Sequence, residues 1–302
     1  MIRPAYLQEG DKVGIVATAR KISLKELQVA IDCFREWKLE VVLGDKLFME
    51  DHQFAGTDAE RTEDLQSMLD DPEIKAIICA RGGYGTVRII DQLDFSRFIE
   101  HPKWICGFSD VTVLHSHIHQ NFGIETIHSM MGVNFQKTGA NSKAAISLKN
   151  VLFGKGLEYS FPSHELNRNG NTSGLITGGN LSMLYSLLGS CSDIDTTGKI
   201  LFLEDLDEYL YHIDRMMMNL KRNGKLENLR ALVVGGMSDM NDNTIPFGKT
   251  VEEIIADAVA EYDYPLCFNF PAGHIDNNFA FYLGREISLE IGSEGSLIKS
   301  AL

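Results

Sequence analysis

Ser109 stands at the junction of this chain best suited to chemistry. An apolar run, Trp104-Ile105-Cys106, stops at Gly107, and the string continues Phe108-Ser109-Asp110-Val111-Thr112. The pattern reads as a strand, a serine and then a helix. Such a turn lifts a hydroxyl out of the sheet edge, beside backbone N–H groups that lack partners. A nucleophile and an oxyanion hole can share it. A serine in this place can also simply cap the next helix, as most such serines do. Asp110 can cap as well, which leaves Ser109 free. The string lacks the second small residue of the lipase-type elbow.

Four other groups bear on the same question. Arg81-Gly82-Gly83-Tyr84-Gly85-Thr86 follows the apolar residues 76–80. It is not a dinucleotide loop, because the third glycine is missing and the string follows the third strand, not the first. It is either a plain tight turn or half of an oxyanion hole, with the Gly83 and Asp110 N–H groups facing one oxygen. Such donors contribute roughly 3–4 kcal/mol each to a transition state. Glu204 closes the apolar run 200–203 and opens the acidic run 204–208. That run can be plain solvated surface, or favour the start of the next helix. Glu204, nearest the strand, is the member best placed to point inward and orient an imidazole. His274 follows Phe270-Pro271-Ala272-Gly273 on a turn, where its near-neutral pKa suits a general base. His115, His117 and His119 fall on a helix, which aligns only the first and third. No carboxylate pair completes a metal site there, so a partly exposed helix face is expected.

The elements that must position these residues alternate. Residues 12–18, 40–43, 76–80, 104–108 and 125–128 read as strands. Residues 23–37, 58–69 and 112–121 read as helices, and Ser23 with Glu26 makes a capping box. Alternation of this kind means parallel βαβ units with right-handed crossovers, which collect ligands at the carboxyl ends of their strands. Residues 136–171 are turn-rich and read as a linker. Beyond it the pattern is mixed: strands at 199–203, 231–234 and 266–270, helices at 181–188, 209–222 and 251–262, then antiparallel strands at 280–291 and 296–300. The expected organisation is an α/β domain over 1–135, a linker over 136–171 and a mixed α/β domain over 172–302.

Bulk properties narrow the partners. The chain has 302 residues, 44% hydrophobic and 23% charged, with a formal net charge of -14. Such a surface argues against nucleic acid or an anionic membrane. No apolar run is long enough to span a bilayer, and the N-terminus has no signal-peptide pattern. The five cysteines are scattered and form no CxxC pair, as expected of reduced packing residues in a cytoplasmic protein.

Several strings in order resemble the LD-carboxypeptidase family, serine peptidase family S66. It includes muramoyltetrapeptide carboxypeptidases and microcin C self-immunity hydrolases. The strings are 10–17 (GDKVGIVA), 55–61 (AGTDAER), 81–85 (RGGYG), 107–112 (GFSDVT), 178–182 (GGNLS), 203–205 (LED) with 213–215 (IDR), and 270–274 (FPAGH). They span nearly the whole chain. The resemblance implies a Rossmann-like N-terminal domain holding Ser109 and a C-terminal domain holding Glu204 and His274, with the site in the cleft between them. It implies Ser109 as nucleophile, His274 as base and then acid, Glu204 as orienting carboxylate, and Gly83 and Asp110 N–H groups as the oxyanion hole. The implied substrate is a murein tetrapeptide that loses its terminal D-alanine. No metal or cofactor is called for, and a homodimer is what the family suggests. The string 128–131 (HSMM) departs from the more usual His-Gly-Pro-Met. Arg81 is the candidate for the substrate carboxylate, with a structural ion pair as its other reading. Two alternatives stay open: an immunity-type hydrolase of aminoacyl nucleotides, and a non-catalytic binding protein that uses the glycine loop for an anion. The first would want an aromatic platform, and the only tryptophans are Trp37 and Trp104.

Overall fold

The computed structural model describes residues 1–300. The first half lays down β1 (Lys12–Val16), α1 (Leu24–Glu36), β2 (Glu40–Leu43), α2 (Asp58–Asp70), β3 (Ile74–Cys79), α3 (Ser96–Glu100), β4 (Trp104–Gly107), α4 (Thr112–Phe122) and β5 (Thr126–His128). The central strands β3, β4 and β5 are short, apolar and almost wholly buried, as expected where helices cover both faces of a parallel sheet, while the edge strand β2 is only partly buried. Their spatial order is β5-β4-β3-β1-β2, and every pair is parallel. α1 begins as its sequence dictates. Ser23 accepts the Glu26 amide, and the Glu26 carboxylate accepts the Ser23 amide. The helix then buries Leu27, Ala30, Ile31 and Phe34 at helical spacing.

The segment 136–171, read as a linker, is structured. It holds the end of α5 (Asn134–Thr138), then α6 (Lys143–Leu152) and β6 (Leu157–Phe161). Then β7 (Gly170–Asn180) begins, an 11-residue strand written in Gly, Asn, Ser and Thr. Its composition argues for turns, but its pairing overrides that. Residues 170–175 pair antiparallel with β12 (Glu286–Ile291), and 176–180 pair parallel with β8 (Ile200–Leu206). Strand preference is mostly a matter of neighbours. The remaining elements are α7 (Leu181–Leu187), α8 (Leu210–Arg222), β9 (Ala231–Ser238), α9 (Val251–Ala258), β10 (Leu266–Cys267), β11 (Phe281–Leu283) and β13 (Ser296–Ser300). The second sheet runs β10-β9-β8-β7-β12-β13-β6, parallel on one side and antiparallel on the other.

The stretch 280–291 is two strands, not one. The chain breaks at Gly284, whose φ is 84°. Before the break, β11 joins the first sheet antiparallel to β5; after it, β12 joins the second. Arg285 sits at the break, buried, with Nε donating to Glu125 Oε2 at 3.0 Å. The two sheets are therefore tied by strand exchange as well as by the linker. The fold is a parallel-rich α/β unit plus a mixed α/β unit. Among the described residues no helix is long and apolar enough to cross a membrane.

Candidate active site

β4 ends at Gly107, and one turn of 3-10 helix, Ser109–Val111, leads into α4. Ser109 itself has φ 63°, the left-handed region that costs a side-chain-bearing residue about 1 kcal/mol. Its hydroxyl does not cap the helix. Ser109 Oγ lies 3.1 Å from His274 Nε2. Nor does Asp110 cap. Its side chain is buried, and Oδ2 accepts the Thr86 amide at 2.9 Å. Burial raises the Asp110 pKa, partly offset by the bonds from Thr86. The sequence offered Asp110 as a helix cap or for its backbone N–H; its carboxylate instead fastens the glycine loop to the Ser109 turn.

That loop lies directly on Ser109. A Cβ on Gly82 would fall 3.3 Å from Ser109 Cβ and 3.4 Å from Oγ. Gly83 and Asp110 line the same cleft as Ser109. Among the described residues, neither of their N–H groups donates to a protein acceptor.

Glu204 lies within β8, fully buried. The register with β9 shifts between Leu203 and Asp205. A regular strand would send neighbouring side chains to opposite faces, and a bulge re-aims them. Here both Glu204 and Asp205 are buried. Asp205 takes bonds from Asn180 Nδ2 at 2.9 Å and the Ser182 amide at 2.8 Å. Burial, then the Glu204 charge, push its pKa up to about 6. The acidic run 204–208 is thus part buried network and part rim.

His274 reaches Ser109 from the other unit because the preceding turn is tight. Gly273 has φ 110°, and a Cβ there would lie 2.7 Å from Glu204 Cβ. Only glycine allows that approach. The Gly273 amide donates to Asn278 Oδ1 at 2.9 Å, and His128 Nε2 meets the same oxygen at 3.1 Å. Burial pushes the His128 pKa down to about 3, so the ring is neutral and donates. Glu204 Oε2 faces His274 Nδ1 at 2.6 Å and accepts the His274 amide at 3.1 Å. With Nδ1–H donating to Glu204, Nε2 carries the lone pair that faces Ser109. Burial disfavours the imidazolium. The Glu204 charge and hydrogen bond outweigh it, so the His274 pKa lies above the usual histidine value.

The three histidines of α4 are buried, not a partly exposed face. Each has its own partner: His115 Nε2 meets Gly107 O, His117 Nδ1 meets Ser192 Oγ, and His119 Nε2 meets Thr126 Oγ1. α4 is sandwiched between the first sheet and α7, so residues 112–119 are all buried and only its last turn meets solvent. Trp37 and Trp104 are both core residues away from the cleft, whose aromatic wall is Phe108, 4.7 Å from the His274 ring. Arg81 lines the cleft, and its Nη1 lies 3.2 Å from Glu26 Oε1. The cleft between the units has a volume of about 550 Å³.

Residues that sequence reasoning missed here are supporting ones. Thr112 Oγ1 accepts the Asn180 amide at 3.0 Å, joining α4 to the second sheet. Asn180 and Ser182 lie in the string 178–182, whose spacing says nothing of what they hold. Asn278 carries no local signal at all.

Residues 13–129 match the LD-carboxypeptidase N-terminal domain of Peptidase_S66 and residues 173–289 its C-terminal domain. A Bacillus subtilis protein named "Probable murein peptide carboxypeptidase" is 34% identical over 99% of this chain and 95% of its own length. The murein tetrapeptide carboxypeptidase of Pseudomonas aeruginosa is 28% identical over 92% of this chain and 93% of its own. The crystal structure of muramoyltetrapeptide carboxypeptidase from Oxalobacter formigenes superposes with a TM-score of 0.88, covering 96% of this chain and 99% of that one at 24% identity. That likeness is one of fold. With both of its domains matched in order along the sequence, the chain belongs to the LD-carboxypeptidase family of serine peptidases.

Proposed function

We propose that the protein releases the terminal D-alanine of murein tetrapeptide through a Ser109–His274–Glu204 triad and an acyl-enzyme. The observation that carries this reading is the chain of contacts from Ser109 Oγ in one unit through His274 to the buried Glu204 in the other. His274 Nε2 takes the Ser109 proton as the oxygen attacks the scissile carbonyl. The oxyanion rests on the Gly83 and Asp110 N–H groups. The imidazolium, held by Glu204, gives its proton to the amine as the C–N bond breaks and D-alanine leaves. Water then repeats the sequence on the ester and restores Ser109.

Relatives named for murein peptides support the substrate class. We place the protein in the cytoplasm, recycling cell-wall peptides as a homodimer. The test is a fluorophosphonate probe with synthetic tetra- and pentapeptides, read by mass spectrometry. The wild type should label at Ser109 and cut the tetrapeptide, and Ser109→Ala should do neither. Full turnover by Ser109→Ala would sink the mechanism.

A further inference from the structure

We propose that Arg20 recognises the free carboxylate of the residue that leaves; this rests on the carboxypeptidase reading above. A carboxypeptidase must bind a charged chain end one residue beyond the bond it cuts. That end is an anion in a protein of net charge -14, and one wall of the cleft carries Asp205, Asp207 and Glu208. The carboxylate is repelled there and has to find a cation on the other wall.

Two guanidinium groups line that wall, Arg20 and Arg81. Arg81 is already held by Glu26 at 3.2 Å. Arg20 has no carboxylate within 4.0 Å and no side-chain hydrogen bond among the described residues, and it is exposed to the cleft. The backbone fixes its root. The Arg20 amide donates to Gly82 O at 3.4 Å, and Arg20 bridges Phe54.

The stem then runs across Gly83, in the space a side chain would fill. A Cβ on Gly83 would lie 2.6 Å from Arg20 Cδ, 2.7 Å from Cγ and 2.8 Å from Nε. The neighbouring Gly82 lies against Ser109. Gly82 and Gly83 are consecutive, so the stem and the Ser109 turn pack against neighbouring residues of one loop, whose Cα atoms are about 3.8 Å apart. That spacing suits a single residue between the scissile carbonyl and the carboxylate. The planar fork of arginine suits the carboxylate itself.

The test compares kcat/KM for a synthetic tetrapeptide ending in L-lysyl-D-alanine with its C-terminal amide. The wild type should favour the acid by roughly 10- to 100-fold, as expected for hydrogen bonds to a charged group. Arg20→Ala should lose that preference by lowering the acid rate towards the amide rate, and Arg20→Lys should keep part of it. Fluorophosphonate labelling of Ser109 should proceed in every variant, which separates loss of recognition from loss of the site. An acid preference that survives in Arg20→Ala, or that disappears instead in Arg81→Ala, overturns the proposal. A wild type that labels but cuts neither peptide sinks the carboxypeptidase reading, and one that does not label sinks the serine mechanism.

Discussion

The Asp110 carboxylate accepts the Thr86 amide at 2.9 Å, so the residue after Ser109 holds the glycine loop that faces it. Two N–H groups from different segments are useful as a pair only at a fixed separation. Here a buried side chain of one segment sets it.

Removing that clasp should show in the rate. Asp110→Ala leaves the Thr86 amide unpaired in the interior, a loss of about 1–3 kcal/mol in stability. It should also lower kcat at least tenfold, a part of the roughly 100- to 1000-fold that losing an oxyanion donor outright costs. Asp110→Asn keeps an acceptor oxygen and should be milder in both. Denaturant melts and steady-state kinetics decide it. Equal kcat in the two variants would mean that Asp110 does not position the loop.

Backbone strain at Ser109 has a separate signature. In the left-handed region glycine is at ease and alanine is not. Ser109→Gly should be more stable than Ser109→Ala by about 1 kcal/mol, although both should be inactive. Chemical denaturation of the two variants measures the difference. Equal midpoints would show that the turn relaxes once the hydroxyl is gone.

The pH profile should follow the His274 pair. In the proposed mechanism His274 acts as neutral imidazole, so kcat/KM should rise with pH through a pKa above the usual histidine value. Glu204→Gln removes the charge that favours the imidazolium, while burial, which disfavours it, remains. The acidic limb should therefore move to lower pH even as kcat falls. A limb that stays in place would assign it to another group, with the buried Asp205, at about 6, the first to examine.

Gly273 is the tightest point behind the histidine. A methyl group there would press on Glu204 and force an unfavourable φ. Gly273→Ala should lower kcat by displacing His274, with KM much less changed, and should cost more than about 1 kcal/mol in stability. Wild-type kcat in this variant would show that the turn can move without consequence.

Local chemistry made much of this protein legible from its residues. The Ser23–Glu26 capping box starts α1 where it was expected. The apolar runs ending at Cys79 and Gly107 became neighbouring parallel strands, because continuous burial on both faces leaves a recognisable run. The strand 170–180 was not legible. Its Gly, Asn and Ser residues have no strand preference, and two partners far along the chain hold it in place. The break at Gly284 was hidden for a related reason: residues 281–283 and 286–291 both look like strand, and nothing local says that they enter different sheets.

The sequence by itself determined the residue types at the strand ends: a serine, a carboxylate and a histidine, each after an apolar run or a tight turn. Only the tertiary structure decided that they meet. Ser109 and His274 are 165 positions apart, and a hydrogen bond of 3.1 Å between them depends on two sheets, an exchanged strand and the Thr112–Asn180 contact. The same holds for Arg20 and Arg81. The sequence pointed to Arg81, beside the glycine loop, and gave Arg20 no role; both line the cleft, but Arg81 is paired with Glu26 at 3.2 Å and Arg20 has no such partner among the described residues. Hydrogen bonds and ion pairs act over a few ångströms, so their partners are set by packing, which no local pattern records.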